Sequence, residues 1–286
     1  MEFLAEYGLF FAKAVTIVVS VAVIIGLIVS SGHKGKQDKG HIEVSKLNDK
    51  LDMVKDALEE AVLSPDALKL QHKAQKKIDK AQHKAEKKAL KKAEKSSAEE
   101  TADAPIKPRL FVLNFDGDIK ASAVENLREE ITAVLSLAQP TDEVLVCLES
   151  GGGMVHSYGL ASSQLARITK QSIPLTVCVD KVAASGGYMM ACVADKILAA
   201  PFAILGSIGV VAQIPNFHRL LKKNNVDFEM LTAGEHKRTL TMFGENTDKG
   251  RAKFVEDLED THELFKGFVS ENRPVVDVDV VANGDV

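Results

Sequence analysis

From Pro108 onward, short apolar segments alternate with segments of helical periodicity, and this alternation restricts the fold more than any other feature of the chain. The segments "RLFVLNF", "EVLVCLE" and "PLTVCVD" predict strands, and helical patterns cover 123–137, 154–169 and 248–271. Strands that alternate with helices predict a largely parallel sheet with helices packed on it. Runs as apolar as "VLVCL" are typical of a sheet covered on both faces. The sequence therefore predicts an α/β domain over 109–286.

Later segments of this domain predict two more strands and one more helix. "AILGSIGVVAQ" and "DFEMLTAG" have the apolar character of strands, and "NFHRLLKKNN" between them has the spacing of a helix.

The composition is ordinary for a folded protein, with 45% apolar and 27% charged residues. A net charge of −4 gives no global basic field for nucleic acid. The three cysteines lie in apolar runs, which indicates core thiols and not a disulfide framework.

The first 30 residues predict a transmembrane anchor. "LFFAKAVTIVVSVAVIIGLIVSS" contains one charge, Lys13, and offers roughly the 20 apolar residues that a membrane-spanning helix needs. Lys13 lies close enough to one end to reach the interface. The alternative is a cleaved signal peptide, but "MEFLAEYG" carries two glutamates where a signal peptide is basic. We therefore expect an uncleaved anchor that contacts the lipid bilayer through residues 9–30.

Residues 31–108 form a polar, lysine-rich region. Their spacing predicts a helix with an apolar stripe at Leu47, Leu51, Val54, Leu58 and Val62. A lysine-rich segment follows, whose narrow stripe is Ile78, Ala81, Ala85 and Ala89. So weak a stripe indicates a solvated helix or a partly disordered spacer, and the alternative is a basic surface beside anionic lipid headgroups. "SSAEETADAPIKP" then predicts a linker to the domain.

Two glycine-rich junctions follow strands and predict a site at the carboxyl edge of the sheet. The first is "SGGG" at 150–153 and the second is "ASGG" at 184–187, where Ser185 lies between the small residues. Glycine lets a backbone N–H point into a cavity without an obstructing Cβ. The N–H groups of Gly152 and Gly186 are thus candidates for stabilising the oxyanion of an attacked carbonyl. The alternative is that these glycines only make tight turns and close helix–sheet contacts.

A serine hydroxyl is a weak nucleophile unless a base activates it. The domain contains four histidines and many lysines, and no local spacing selects one of them as the base. His236 and Lys237 lie in the polar segment "TAGEHKRTLTMFGENTDKG" after a predicted strand. A lysine base needs its pKa lowered from about 10.4 towards neutrality, which burial against apolar walls can achieve. The other histidines of the domain are His156, His218 and His262.

Two long segments resemble the signal peptide peptidase A family of membrane serine peptidases (peptidase family S49). "VDKVAASGGYMMACVADKILAAPFAILGSIGV" is similar to that family's nucleophile region, and "TAGEHKRTLTMFGENTDKGRAKFVEDLEDTHELFKGFVSENRP" to the segment of its catalytic lysine. The resemblance implies Ser185 as nucleophile, Lys237 as general base and Gly152 in the oxyanion hole, with no cofactor. The family motif Ser-Pro-Gly-Gly has glycine at its proline position here, Gly151. The implied fold is the Clp protease/crotonase type, with repeated β-β-α units.

The same resemblance implies partners and a location. It implies a peptide or protein substrate, a homo-oligomeric ring or dome with sites near subunit boundaries, and the bacterial inner membrane. The lysines after the anchor favour a cytoplasmic domain by the positive-inside rule, whereas related peptidases commonly act on the outer face. Family members continue past "VVANGDV" with a segment that typically contains tryptophan, so the resemblance implies a chain truncated at its C-terminus.

Two other functions are compatible with the residues. A catalytically inactive membrane scaffold would keep the fold for oligomerisation and would lack an activated hydroxyl. A crotonase-type acyl-CoA enzyme would share the oxyanion glycines but would form no acyl-serine. The position of Ser185 and the predicted anchor count against the acyl-CoA enzyme, and a serine-directed fluorophosphonate distinguishes the peptidase from the scaffold.

Overall fold

The structure is a computed structural model that describes residues 8, 13, 15–20, 42–95 and 107–285. Among these residues, no helix combines the length and the apolar character that crossing a membrane requires. Most of the segment 9–30, predicted as the anchor, lies outside the described residues, as does most of the predicted linker. The chain divides into two compact units, Met1–His83 and Lys84–Val286.

The first unit contains helix α1, Leu47–Val62, and most of helix α2, Pro65–Lys95. Pro65 suits the first position of α2 because a helix needs no N–H donor there. The predicted apolar stripe lies on α1, and its five side chains are between 46% and 80% exposed. The polar region is therefore helical over these bounds, as one of the two sequence interpretations had it.

In the part of the second unit that the structure describes, six parallel strands form one sheet. The strands are β1 Leu110–Gly117, β2 Glu143–Ser150, β3 Leu175–Val179, β4 Val182–Ala184, β5 Lys196–Ala199 and β6 Ile204–Gly206. Strand β2 pairs with β1 over its whole length, and its other edge pairs first with β3 and then, at Ser150, with β4. Strand β3 continues to β5 and β4 continues to β6, so the sheet divides into two branches and curls at the carboxyl end of β2.

Among the described residues, three helices connect these strands and three more follow the last strand. They are α3 Val124–Leu135, α4 Val155–Thr169, α5 Gly186–Ala191, α6 His218–Lys223, α7 Asp248–Asn272 and α8 Val278–Val281. In β2, buried residues alternate with half-buried ones, because successive side chains of a strand point to opposite faces. Val144, Val146 and Leu148 join one core with the apolar faces of α3 and α4. Within the described chain the opposite face is only partly covered, contrary to the expectation from "VLVCL", since Leu110 and Leu198 are 54% and 44% exposed.

The predicted α/β class is confirmed, and β3, β4 and α5 succeed each other in the β-β-α order that the resemblance implies. Two predicted strands are wrong in whole or in part. The segment 227–234 is irregular and exposed, because no described strand lies beside it to complete a ladder. The strand predicted over 203–213 ends at Gly206, where φ is 106°, and Ser207 with φ of 49° directs the chain away from the sheet. Strands β4 and β5 were not predicted.

A buried carboxylate fixes the start of β1 to the start of β2. Asp142 is 1% exposed and accepts hydrogen bonds from the Arg109 backbone N–H at 2.8 Å, from Arg109 Nη2 at 2.7 Å and from the Gln139 N–H at 2.8 Å. The Arg109 side chain is the main cause that holds the pKa of Asp142 well below its usual range. The pair therefore stabilises the fold only while Asp142 is ionised.

Asp142→Asn is expected to lower the melting temperature at pH 7 by about 5 °C, because several hydrogen bonds to a charged acceptor are weakened or lost. A carboxyl whose folded pKa is depressed stabilises the fold above its unfolded pKa of about 3.9, and the stabilisation disappears as the pH falls through the lower folded value. The difference between parent and variant should therefore shrink between pH 5 and pH 2. Melting curves over this range measure it, with Asp180→Asn as an exposed control. An equal difference at all pH values would contradict the role of the ionised pair.

Candidate active site

Ser185 lies between β4 and α5 and adopts an unusual backbone conformation. Its φ of 52° and ψ of −118° fall outside the regions that L-residues favour. Its N–H donates to the Gly206 carbonyl at 2.8 Å, and its own carbonyl accepts from the Met189 N–H at 2.9 Å. Its side-chain hydroxyl has no hydrogen-bond partner among the described residues. Strained backbone of this kind persists where the surroundings hold it, and such positions cluster at functional sites.

The first glycine junction lies directly against Ser185. Gly152 has φ of 84°, and a Cβ on it would lie 2.6 Å from the Gly186 backbone nitrogen and 2.7 Å from the Ser185 Cβ. Real Cβ atoms do not come this close to other atoms, so only glycine fits at 152. The structure thus brings together three of the four predicted site residues.

The second junction uses its glycines for close packing as well. A Cβ on Gly186 would overlap the ring of Tyr158, and a Cβ on Gly187 would lie 2.5 Å from the Ser150 carbonyl oxygen. Helix α5 is buried along its whole length. The small residues around Ser185 therefore have a packing function, as the simpler interpretation held, and the same packing brings Gly152 against Ser185 and Gly186.

The two candidate oxyanion donors differ in the bonds they make. Within 107–285, the Gly186 N–H, at the N-terminus of α5, has no acceptor. The Gly152 N–H donates to Ser150 Oγ at 3.1 Å, a long hydrogen bond. Ser150 Oγ in turn lies 2.6 Å from the hydroxyl of Tyr158, which donates to the Asp118 carbonyl at 2.7 Å. Of the two donors, the Gly186 N–H is therefore the one without an acceptor among the described residues.

Lys237 lies in the irregular segment between α6 and α7. It is exposed, and its Nζ has no partner among the described side chains, while its backbone N–H donates to the Gly234 carbonyl at 3.2 Å. Its neighbour Glu235 pairs instead with Lys249 at 2.6 Å and lies 3.9 Å from His236. A single copy of the described chain has no hydrogen bond between Lys237 and Ser185. The pairing of these two residues stays a prediction.

The histidines of the domain are not bonded to Ser185 either. His262 Nε2 lies 3.2 Å from the Ile208 carbonyl, and no hydrogen bond joins His156, His218 or His236 to the serine in the described chain.

No group of three or more His, Cys, Asp or Glu side chains among the described residues is arranged to hold a metal ion. A cavity of about 700 Å³ beside α6 and α7 is lined by Arg219 and Arg251 and contains neither Ser185 nor Lys237.

Ser150 and Tyr158 support the glycines, and the sequence did not predict this role for either residue. Ser150 was noted only as the start of "SGGG", and Tyr158 lies inside an apolar helical pattern. Both are buried, with exposures of 2% and 0%, and burial raises the pKa of the Tyr158 phenol, so its hydroxyl keeps its proton. A phenol on the buried face of a helix is the one signal that could have suggested a hydrogen-bond partner.

Two models of one protein family together match nearly the whole chain. The N-terminal model of peptidase family S49 matches residues 2–165, and the peptidase family S49 model matches residues 167–286. The chain belongs to peptidase family S49. The family supports a peptidase, and the resemblance on which the site was predicted is confirmed at the level of the family.

Relatives in this family are similar in sequence to nearly the whole chain. "Probable protease SohB" of Haemophilus influenzae is 52% identical over 284 residues, which are 99% of this chain and 79% of the relative. "Probable protease SohB" of Buchnera aphidicola subsp. Schlechtendalia chinensis is 47% identical over 285 residues, which are 100% of this chain and 92% of the relative. "Putative protease SohB" of Buchnera aphidicola subsp. Baizongia pistaciae is 44% identical. Within the S49 family the chain is therefore similar to the SohB proteins.

Proposed function

We propose that this chain is a membrane-anchored serine endopeptidase in which Ser185 is the nucleophile and Lys237 the general base. The observation that carries the proposal is the close contact of Gly152 with Ser185 and Gly186, at a serine with φ of 52°. This contact places the Gly152 backbone against the Gly186 nitrogen and the Ser185 Cβ, and the Ser185 hydroxyl has no hydrogen-bond partner in the described chain. Membership of a peptidase family and similarity to proteins named as probable proteases support the same reaction.

The reaction is acyl transfer in two steps. Neutral Lys237 accepts the proton of the Ser185 hydroxyl while Oγ attacks the peptide carbonyl, and the protonated amine then passes its proton to the leaving nitrogen as the C–N bond breaks. Water attacks the resulting ester with Lys237 as base, which releases the acid and restores Ser185. The N–H groups of Gly186 and Gly152 bind the oxyanion in both steps, and the Gly152 N–H does so while it keeps its long hydrogen bond to Ser150 Oγ.

The position of Lys237 indicates how the base reaches the nucleophile. Lys237 is exposed and unpaired in the described chain, and apolar side chains in the segments around α6 are exposed as well, Val211 by 81% and Leu231 by 94%. A second copy that covers this region would remove water from the lysine, and desolvation favours its neutral form. We place the base of each site on a neighbouring copy in a homo-oligomer.

The substrate class and the location belong to the same proposal. An endopeptidase anchored through residues 9–30 in the bacterial inner membrane acts on peptides or membrane-associated and misfolded proteins. The similarity to SohB proteins supports this assignment.

Gly152→Ala is expected to lower turnover about 100-fold, because the added methyl displaces an oxyanion donor and strains a residue with φ of 84°. Gly151→Ala is the matched control, since a Cβ at 151 meets nothing within 4 Å. Initial rates of casein hydrolysis and melting temperatures of both variants measure the effect. Parent-like turnover in a folded Gly152→Ala chain would remove this glycine from the oxyanion hole.

Covalent labelling separates the peptidase from an inactive scaffold of the same fold. A fluorescent fluorophosphonate reacts with a serine only if a base activates it, so the purified full chain should incorporate the label and lose casein hydrolysis in proportion. A folded oligomer that incorporates no label would support the scaffold instead. Formation of a coenzyme A thioester product without labelling would point to the acyl-CoA enzyme.

A further inference from the structure

A chain of buried hydroxyl groups lies behind the candidate oxyanion hole. Gly152 N–H, Ser150 Oγ, Tyr158 Oη and the Asp118 carbonyl follow one another at 3.1, 2.6 and 2.7 Å. Ser150 is at the end of β2, Tyr158 is on α4, and Asp118 follows β1. Three separate elements are thus tied to the loop that carries Gly152.

Counting the hydroxyl protons shows which group donates in each of these hydrogen bonds. Tyr158 has one hydroxyl proton and donates it to the Asp118 carbonyl at 2.7 Å. The short contact of 2.6 Å to Ser150 must then use the serine proton, with Tyr158 Oη as acceptor. Ser150 Oγ is left with lone pairs, and one of them accepts the Gly152 N–H. The Gly117 carbonyl, 3.3 Å from Ser150 Oγ, is a second and more distant acceptor for the same serine proton. Each hydroxyl therefore makes one short donor bond and accepts one bond, an arrangement in which neighbouring hydrogen bonds strengthen each other.

The ring of Tyr158 contacts the other donor. A Cβ on Gly186 would overlap Tyr158 Cγ, so the ring lies directly against the Gly186 backbone. One tyrosine thus contacts both candidate donors, Gly186 through its ring and Gly152 through Ser150. No described hydrogen bond joins Tyr158 or Ser150 to Ser185 or Lys237, so neither takes part in proton transfer to the nucleophile.

We propose that Tyr158 and Ser150 are positioning residues that hold the Gly152 and Gly186 N–H groups at the spacing an oxyanion requires. The inference rests on the proposed function, because it assigns these N–H groups to the oxyanion of the peptidase reaction. The loop needs such support on its N-terminal side, since Gly151 is exposed and a Cβ there would meet nothing within 4 Å, whereas Gly153 packs against the Ile119 carbonyl. Donors that are fixed before the reaction stabilise the transition state more than donors that must be ordered during it.

The test compares Tyr158→Phe and Ser150→Ala with the parent chain in reaction with a fluorophosphonate. In this reaction Ser185 Oγ forms a bond to phosphorus, fluoride leaves, the base takes the serine proton and the phosphoryl oxygen occupies the oxyanion hole. Each variant is expected to lower the limiting labelling rate about 10-fold and to change the half-saturating probe concentration less than twofold. The double variant should be no slower than the slower single variant, because both substitutions break one chain of bonds.

Ser162→Ala is the matched control. Ser162 is fully buried on the same helix, and its hydroxyl donates to the Tyr158 carbonyl at 2.8 Å, so the variant loses a buried serine hydrogen bond but keeps the chain to Gly152. A purely structural effect would lower the melting temperature of all three variants similarly and leave their limiting labelling rates alike. The proposal predicts parent-like labelling for Ser162→Ala alone.

Amide hydrogen exchange at residue resolution tests the bond chain without any activity. The Gly152 amide should exchange about 10-fold faster in Tyr158→Phe and Ser150→Ala than in the parent and in Ser162→Ala. Parent-like labelling in both variants, or unchanged exchange at Gly152, would overturn the positioning roles. Failure of the parent chain itself to react would reject the proposed peptidase, and the exchange data would then decide the positioning roles alone.

Discussion

Ser185→Ala is expected to reduce peptide hydrolysis by about 1,000-fold or more and to leave the fold unchanged. In the proposed mechanism the substitution removes the atom that forms the acyl-enzyme, and oxyanion stabilisation alone retains little catalysis. The Ser185 hydroxyl has no hydrogen bond in the described chain, so its loss leaves no buried partner unsatisfied. Alanine keeps the Cβ and hence the same backbone strain at φ of 52°. The melting temperature should therefore stay within about 2 °C of the parent.

Ser172→Ala provides the control for this variant. Ser172 has a similar φ of 58° but lies between α4 and β3, at the amino end of the parallel strands. Its replacement makes the same chemical change at a strained serine outside the candidate site, and hydrolysis should stay at the parent rate. Substantial hydrolysis by purified Ser185→Ala, with Ser172→Ala at the parent rate, would assign the nucleophile to another residue.

Lys237→Ala is expected to lower turnover by about 1,000-fold with little change in KM, because general base catalysis contributes about two to four powers of ten. Lys237→Arg should be nearly as inactive, since a guanidinium remains protonated and cannot accept the serine proton. Lys237 is exposed and unpaired in the described chain, so neither variant should change the melting temperature. Steady-state kinetics with casein and with fluorophosphonate measure the loss.

His236→Ala is the control for the base, since His236 adjoins Lys237 in the same exposed segment. A loss of turnover in His236→Ala as large as in Lys237→Ala would move the base to histidine.

Mixing Ser185→Ala and Lys237→Ala chains tests the arrangement between copies. If each site takes its lysine from a neighbour, mixed oligomers contain intact sites and regain part of the activity. If the dyad forms within one chain, the mixture stays inactive.

The local parts of the fold followed from the sequence because they depend on residues that are close in the chain. The alternation in β2 and the helical face of α4 are patterns of period 2 and 3.6, and both elements were predicted within a residue or two of their bounds. The segment 227–234 has strand-like composition but lies beside no described strand, and no local pattern reveals a missing neighbour. The two branches of the sheet likewise depend on pairings between distant segments.

The site was predictable to the extent that topology determines it. Parallel strands bring their carboxyl ends to one edge, which is why the glycines after β2 and a serine a short turn after β3 were expected together. The serine follows β4, a short strand that was not predicted, and Gly152 does contact Ser185. The hydroxyl chain behind them was not predicted, because the contact of Ser150 with Tyr158 depends on the angle at which α4 crosses the sheet. Lys237 is exposed and has no partner in the described chain, and local sequence patterns do not describe the contact with a neighbouring copy that we propose for it.

The most direct measurement for the central claim is a peptide mass map of the full chain after reaction with fluorophosphonate. The proposed mechanism predicts one added phosphonyl group per chain, on the peptide that contains Ser185, and no addition in Lys237→Ala over the same reaction time. Modification at a different serine, or an unmodified Ser185 in a chain that hydrolyses casein, would contradict Ser185 as the activated nucleophile.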